Sequence, residues 1–307
     1  MLVSAAIFLL FAVGSAQKSS AKKSPGVPVL WDKIDIGRQD LFYGPGGKHG
    51  LPDVSRVTFL NQQKGGHSLK YRIKDASGRT WVAKIGSEAQ SETAAVRLLS
   101  ALGYKTEINY LVPRLTIPGK GTFSNVRLEA RPEDVDRGKE WRWGHSPFED
   151  TRPMRGLMLM MAFLNNWDMK SANNVILKSA GEDRYVISDL GVSFGKTGNN
   201  SLPIFWRIGR SRNNPDDYSK SKFVSGVSRN HLKVEFNGKN RSRMRGFTVE
   251  DARWLAGLLT QLSDAQIRDA FRAANYSKTD INKLTMAVKS RIKQLDTARS
   301  NGRIASR

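Results

Sequence analysis

The chain has 307 residues, 39% of them hydrophobic, enough to bury a sizeable core in one large domain or two lobes, so disorder is not the expected state. Its 50 Lys and Arg against 28 Asp and Glu leave a formal net charge of +22, a field suited to anionic partners such as nucleotide phosphates, nucleic acid, anionic lipid, envelope polymer or acidic protein. Cysteine is absent, which excludes disulfides, thiolate nucleophiles and Cys-ligated zinc, and His49, His67, His145 and His231 are too scattered for a zinc site.

Residues 1–16, MLVSAAIFLLFAVGSA, are an apolar run ending in small residues and followed by the basic QKSSAKKS. This pattern predicts a secretory signal cleaved near Ala16 and Gln17, hence an exported, periplasmic or extracellular protein, although no Lys or Arg precedes the run. Residues 17–52 mix Lys, Ser, Pro and Gly and read as a basic tail followed by an irregular arm. From residue 53 to 130 the pattern changes to a meander. RVTFL and LKYRIKD are strands around the polar NQQKGGHS, TWVAKIG is a third strand, and SEAQSETAAVRLLSALGY is a helix with a Ser start and a Gly stop. YLVPRLTI and NVRLEAR are the next strand candidates.

Residues 131–307 read as mostly helical. MRGLMLMMAFLNNW is apolar nearly all round, as a buried helix is, and its Met run is core rather than a ligand surface. NNVILKSAGEDRYVISDLG predicts a hairpin, and three capped amphipathic helices begin at TVED, SDAQ and SKTD. Segment 195–246 lacks clear periodicity apart from a β pair, KFVSGV with LKVEF, and a long irregular stretch in a compact domain is usually functional or mobile.

Between the buried helix and the hairpin lies DMKSAN, which puts Asp168, Lys170 and Asn173 in a D-x-K-x-x-N pattern, and Asp189-Leu190-Gly191 ends the hairpin. Together with a strand, a Gly turn, a second strand and WVAKIG, this order resembles the protein-kinase-like superfamily, whose catalytic loop reads H-R-D-x-K-x-x-N and whose metal loop reads D-F-G. The nearest likeness within it is an atypical, secreted bacterial kinase-like protein.

The resemblance implies an α+β, two-lobed fold with an antiparallel-sheet N-lobe and a mainly helical C-lobe. It implies ATP and Mg2+ as cofactors and a hydroxyl-bearing acceptor. Lys84 would pair the phosphates, held by Glu92 or its rival Glu88, and Lys64, Gly65 and Gly66 would form the phosphate loop in preference to the glycine-rich GPGGKHG at 44–50. Asp168 would orient or accept the acceptor's proton, Lys170 would neutralise the transferring group, and Asn173 with Asp189 would hold magnesium through oxygen atoms. Gly191 is expected to let the metal loop turn sharply.

The chain departs from the pattern in several places. Asn166-Trp167 stand where His-Arg would be, so regulation through a phosphorylated loop is not expected; Leu190 replaces Phe, and no A-P-E follows. The alternative from another class is a catalytically inactive kinase-like secreted module that binds an anionic partner, such as envelope polymer or a lipid surface, through its basic patches. Nucleic acid is the less favoured partner, since the basic helices carry no interleaved aromatic platform.

Overall fold

A computed structural model of the chain describes residues 26–64, 68–198 and 209–298. The expected leader at 1–16 and the glycines Gly65 and Gly66 lie outside the described residues. The architecture is α+β and two-lobed, with an antiparallel sheet above a mainly helical lobe.

The upper sheet has five strands: β2 (Thr58–Gln63), β3 (Leu69–Lys74), β4 (Thr80–Ile85), β5 (Asn109–Ile117) and β6 (Gly121–Ala130). They pair antiparallel in the order β2-β3-β4-β6-β5. Pro113, which cannot donate to a ladder, falls on the edge strand β5. Alternation puts Ile73, Trp81, Ala83, Val126 and Leu128 on a buried face, and sends Lys70, Lys84, Arg127 and Glu129 to the other. The connection between β4 and β5 is helix α1 (Glu88–Ala101), whose Ala94, Ala95, Leu98 and Leu99 pack into the core of the helical lobe. That docking fixes the helix that must meet Lys84.

The lower lobe is built on α2 (Arg152–Phe163), started by the Thr151 cap, and on α4 (Val249–Leu259), α5 (Asp264–Ala273) and α6 (Lys278–Asp296). Thr248 with Asp251 and Ser263 with Gln266 form capping boxes, so orphan amides at both helix starts are satisfied. A short α3 (Pro215–Lys220), capped by Asn214, adds a turn of helix that the irregular sequence around it does not announce. The hairpin predicted after DMKSAN is β8 (Asn174–Ser179) with β9 (Glu182–Ile187), and the β pair of segment 195–246 is β10 (Val224–Ser228) with β11 (His231–Val234).

Two strands escape the sequence patterns. β1 (Val27–Val29) pairs parallel with β9, and β7 (Asp136–Arg137) extends the same sheet beyond β8. Beyond β1, the described part of the arm is packed rather than trailing, because Leu30, Ile36 and Leu41 are buried in the main core. The GPGGKHG stretch, at 44–50, is folded into short 3-10 turns against the N-lobe. A Cβ at Gly46 would come within 2.1 Å of the Tyr110 hydroxyl, and one at Gly50 within 2.2 Å. Gly46 and Gly50 therefore serve close packing.

Candidate active site

The catalytic-loop candidate follows α2 directly and is anchored from behind by α6. Arg291 is buried in the core and donates to the Phe163 carbonyl (2.7 Å), Asn165 Oδ1 (3.1 Å) and Ser221 Oγ (2.7 Å), with its guanidinium 4.1 Å from the centre of the Tyr218 ring. One residue of the basic KSRIKQ helix is thus a structural pin, not surface charge. Asn165 adopts a left-handed conformation (φ 55°), which Asn tolerates, and turns the chain out of the helix.

Trp167 stands where the superfamily pattern has Arg, and it explains how the irregular segment is used. Its indole Nε1 donates to the Ser211 carbonyl (3.0 Å), Arg210 stacks 4.6 Å from its ring centre, and its carbonyl accepts from Lys239 N (2.8 Å). Asn240 adds a bond to the Met169 carbonyl. Residues 210–211 and 239–240 are therefore bound to the loop itself.

Asp168 lies at the floor of a cavity of about 360 Å³ that is also lined by Lys84, Glu88, Lys170 and Asp189. Its Oδ2 meets Lys170 Nζ at 2.9 Å, and its Oδ1 meets Lys239 Nζ at 2.8 Å. Burial raises a carboxyl's pKa, but hydrogen bonds from Lys239 and Lys170 outweigh it and hold Asp168 below the ordinary aspartate range. Asn173 ends a 3-10 turn, Ser171–Asn173, and its amide Nδ2 donates to the Asp168 carbonyl (2.7 Å) and to Asp168 Oδ2 (3.3 Å). The amide nitrogen is spent inside the loop, so the side-chain oxygen Oδ1 is the atom left to a ligand.

Lys84 reaches the same cavity from β4. Its ammonium is 2.9 Å from Glu92 Oε2, 3.2 Å from Glu88 Oε2 and 3.3 Å from Asp189 Oδ1. Both glutamates weighed from the sequence touch it, with Glu92 the closer and the more deeply buried. The spacing of eight residues is possible because α1 begins almost at once after β4 and turns Glu92 back over the strand. Burial alone would lower the pKa of Lys84, yet Glu92 and Asp189 more than offset it, so the group stays charged. A second cation shares the helix carboxylate: Arg127 Nε lies 3.2 Å from Glu92 Oε2, and its Nη2 lies 2.7 Å from Glu129 Oε2.

The metal-loop candidate crosses beneath α1. Asp189 Oδ1 accepts from Gly191 N (3.1 Å), and Ser91 Oγ donates to the Gly191 carbonyl (2.5 Å). Both recorded contacts of Asp189 fall on Oδ1, which leaves Oδ2 for a ligand. Gly191 lies in the expected turn, closed by Ser193 N donating to the Leu190 carbonyl (3.1 Å), but its φ is not positive, so the demand for glycine there is steric. A Cβ there would sit 2.7 Å from the Cβ of Glu88. The left-handed residue of this loop is instead Phe194 (φ 55°), held in place by edge contacts to Tyr218 and Phe271, each with 5.2 Å between ring centres. Such strain persists only where the surroundings fix it.

The structure thus brings Lys84, Glu92, Asp168, Lys170, Asn173 and Asp189 to one place. Lys64 follows β2 and is exposed, and it does not line the cavity. Sequence reasoning missed Lys239, Arg212, Lys70 and Arg127, of which the first three line the cavity. Only Lys70 carried a usable signal, since its register partner on β4 is Lys84 and the two share a face. No group of three or more His, Cys, Asp or Glu that could hold a metal occurs among the described residues, so any cation here would rely on the Asn amide as well as carboxylate.

No family model matches the chain, and no curated protein sequence matches it. Among solved structures, the chain is similar to the crystal structure of a Helicobacter pylori proinflammatory kinase, CtkA, at 10% identity, over 80% of this chain and 97% of that one, with a TM-score of 0.48.

Proposed function

We propose that the chain is a magnesium- and ATP-dependent phosphotransferase acting on a hydroxyl acceptor. The observation that carries this reading is the convergence on one cavity of the Lys84–Glu92 pair from above with Asp168, Lys170 and Asp189 from below. Phosphoryl transfer needs little covalent help; it needs charge neutralised around the phosphates and a hydroxyl held in line. Lys84, fixed by carboxylates on both sides, provides a positioned cation for phosphate oxygens. Asp168, ionised at neutral pH, accepts a hydrogen bond from the acceptor hydroxyl and takes its proton as the new O–P bond forms and ADP leaves. Lys170 beside it balances charge on the moving group.

Asn173 Oδ1 and Asp189 Oδ2 are hard oxygen donors left over after the protein's own bonds are made, which fits magnesium. Bound magnesium would supply charge neutralisation on the phosphates, and these two residues would hold it. The test is the melting temperature with ATP, with and without magnesium. Wild type should show a magnesium-dependent rise, since a ligand specific to the native state stabilises it by mass action. Lys84→Ala and Asp189→Ala should lose that rise while remaining folded. An unchanged rise in both variants would place the nucleotide elsewhere.

One observation favours a second reading, an inactive kinase-like binding module: both oxygens of Asp168 already hold ammonium groups. Export, on the strength of residues 1–16, belongs to the same proposal, and amino-terminal sequencing of secreted protein should begin at or near Gln17. Association with an anionic envelope polymer or lipid surface stays within it too, resting on the net charge of +22.

A further inference from the structure

We propose that the acceptor carries an anionic phosphate beside its reacting hydroxyl, and that Lys239 holds that phosphate; this rests on the phosphotransferase reading above. The starting point is the occupancy of Asp168. Oδ2 is engaged by Lys170 and Asn173, and Oδ1 by Lys239 at 2.8 Å. Oδ1 has accepting capacity left but no exposed surface, so a hydroxyl can reach it only if the ammonium that covers it moves. Asn173 is fixed by its 2.7 Å bond to the Asp168 carbonyl, and Lys170 belongs to the loop and has the transferring phosphoryl group to serve. Lys239 is the group that yields.

Lys239 enters from outside the catalytic loop. Its backbone is tied to the Trp167 carbonyl, and its side chain, 42% exposed, lines the cavity. An ammonium released from its carboxylate binds a phosphate better than a neutral group, because charge-assisted bonds are the strong ones. A neutral acceptor offers no anion. An acceptor with its own phosphate exchanges one anionic partner for another and leaves Asp168 free for its hydroxyl.

The cavity is cationic, as a phosphate site is: Lys70, Lys84, Lys170, Arg212 and Lys239 face Glu88, Asp168 and Asp189, an excess of two cations among its lining residues that Mg-ATP itself can match. Arg212 is placed there by its 2.8 Å contact to Glu88 Oε1, and Lys70 by its register against Lys84. The reaction balances as ordinary phosphoryl transfer: the acceptor oxygen bonds to the terminal phosphorus of ATP, the bond to the bridging oxygen breaks, and the hydroxyl proton passes to Asp168.

The test compares acceptors in matched pairs, with radiolabelled ATP and wild-type protein. The soluble pair is glycerol 3-phosphate against glycerol; the lipid pair is vesicles containing phosphatidylglycerol against phosphatidylcholine vesicles containing diacylglycerol. Transfer should favour the phosphate-bearing member in at least one pair, and which pair responds separates a soluble phosphate from a lipid headgroup. Lys239→Gln should raise KM for the favoured acceptor by about tenfold or more with a smaller change in kcat, and Lys239→Arg should recover most of the loss. Equal use of both members, or a Lys239→Gln variant with unaltered KM, overturns this inference while leaving the phosphotransferase reading in place. Transfer to none of the four, with autophosphorylation or ATP hydrolysis intact, also overturns it. Absence of any magnesium-dependent ATP stabilisation or turnover would instead remove the reading on which it rests.

Discussion

The Lys84–Glu92 pair offers a quantitative test of how the site is held. Lys84 and Glu92 side chains are 4% and 1% exposed and 2.9 Å apart, so both charges are desolvated. Removing one member of a buried pair strands the other, at a cost of about 3–5 kcal/mol. Lys84→Met should fall near the lower end, about 3 kcal/mol, because Arg127 remains 3.2 Å from Glu92. Glu92→Leu should cost less, about 1–2 kcal/mol, since Lys84 keeps Glu88 and Asp189 while Arg127 keeps Glu129. The double variant leaves no stranded glutamate, and the carboxylate of Asp189 is one-third exposed to water, so its cost should resemble that of Glu92→Leu alone. The cycle then gives a coupling of about 2–3 kcal/mol. Urea unfolding followed by fluorescence reads all four proteins, with seven Trp in the chain as reporters. Costs that simply add would refute the claim that the pair is a buried, mutually dependent unit.

Two further outcomes follow from the geometry. Gly191→Ala introduces a Cβ 2.7 Å from Glu88 Cβ, and should destabilise by about 1–3 kcal/mol and weaken Mg-ATP binding by displacing Asp189; a melting temperature and Kd equal to wild type would show that the loop gives way freely. The depressed pKa of Asp168 sets the sign of a pH effect. A carboxylate whose folded pKa lies below its unfolded value stabilises the fold above the unfolded value and loses that contribution as pH falls through the folded one. The acid limb of the rate profile should accordingly appear only below about pH 4, the ordinary aspartate value, and an acid limb near pH 6 would assign the proton to another group.

Local structure was legible in the sequence wherever period or punctuation carries it. Alternation gave β2, β3 and β4, capping residues gave α4, α5 and α6, and the D-x-K-x-x-N spacing located the loop that receives Asp168 and Asn173. The unread parts depend on chain segments far apart. Lys239 meets Asp168, and Arg212 meets Glu88, through an irregular stretch with no period to extrapolate. β1 is too short for alternation to register, and its parallel pairing with β9 joins residues more than 150 positions apart, as Val27 with Glu182. Gly191 sits in the turn expected of it, but the steric demand from Glu88 went unread, because it leaves no mark on local sequence. Arg291 was equally unread: a Lys- and Arg-rich helix does not announce that one of its charges closes the core behind the catalytic-loop candidate.

If Asp168 serves chemistry rather than nucleotide binding, as proposed, single-turnover measurements on Asp168→Asn show it most directly. Asn keeps the shape and hydrogen-bonding reach of the side chain but cannot take the acceptor's proton. The variant should bind Mg-ATP within a few-fold of wild type and lose phosphoryl transfer by about a hundredfold or more. Transfer at the wild-type rate would contradict the account.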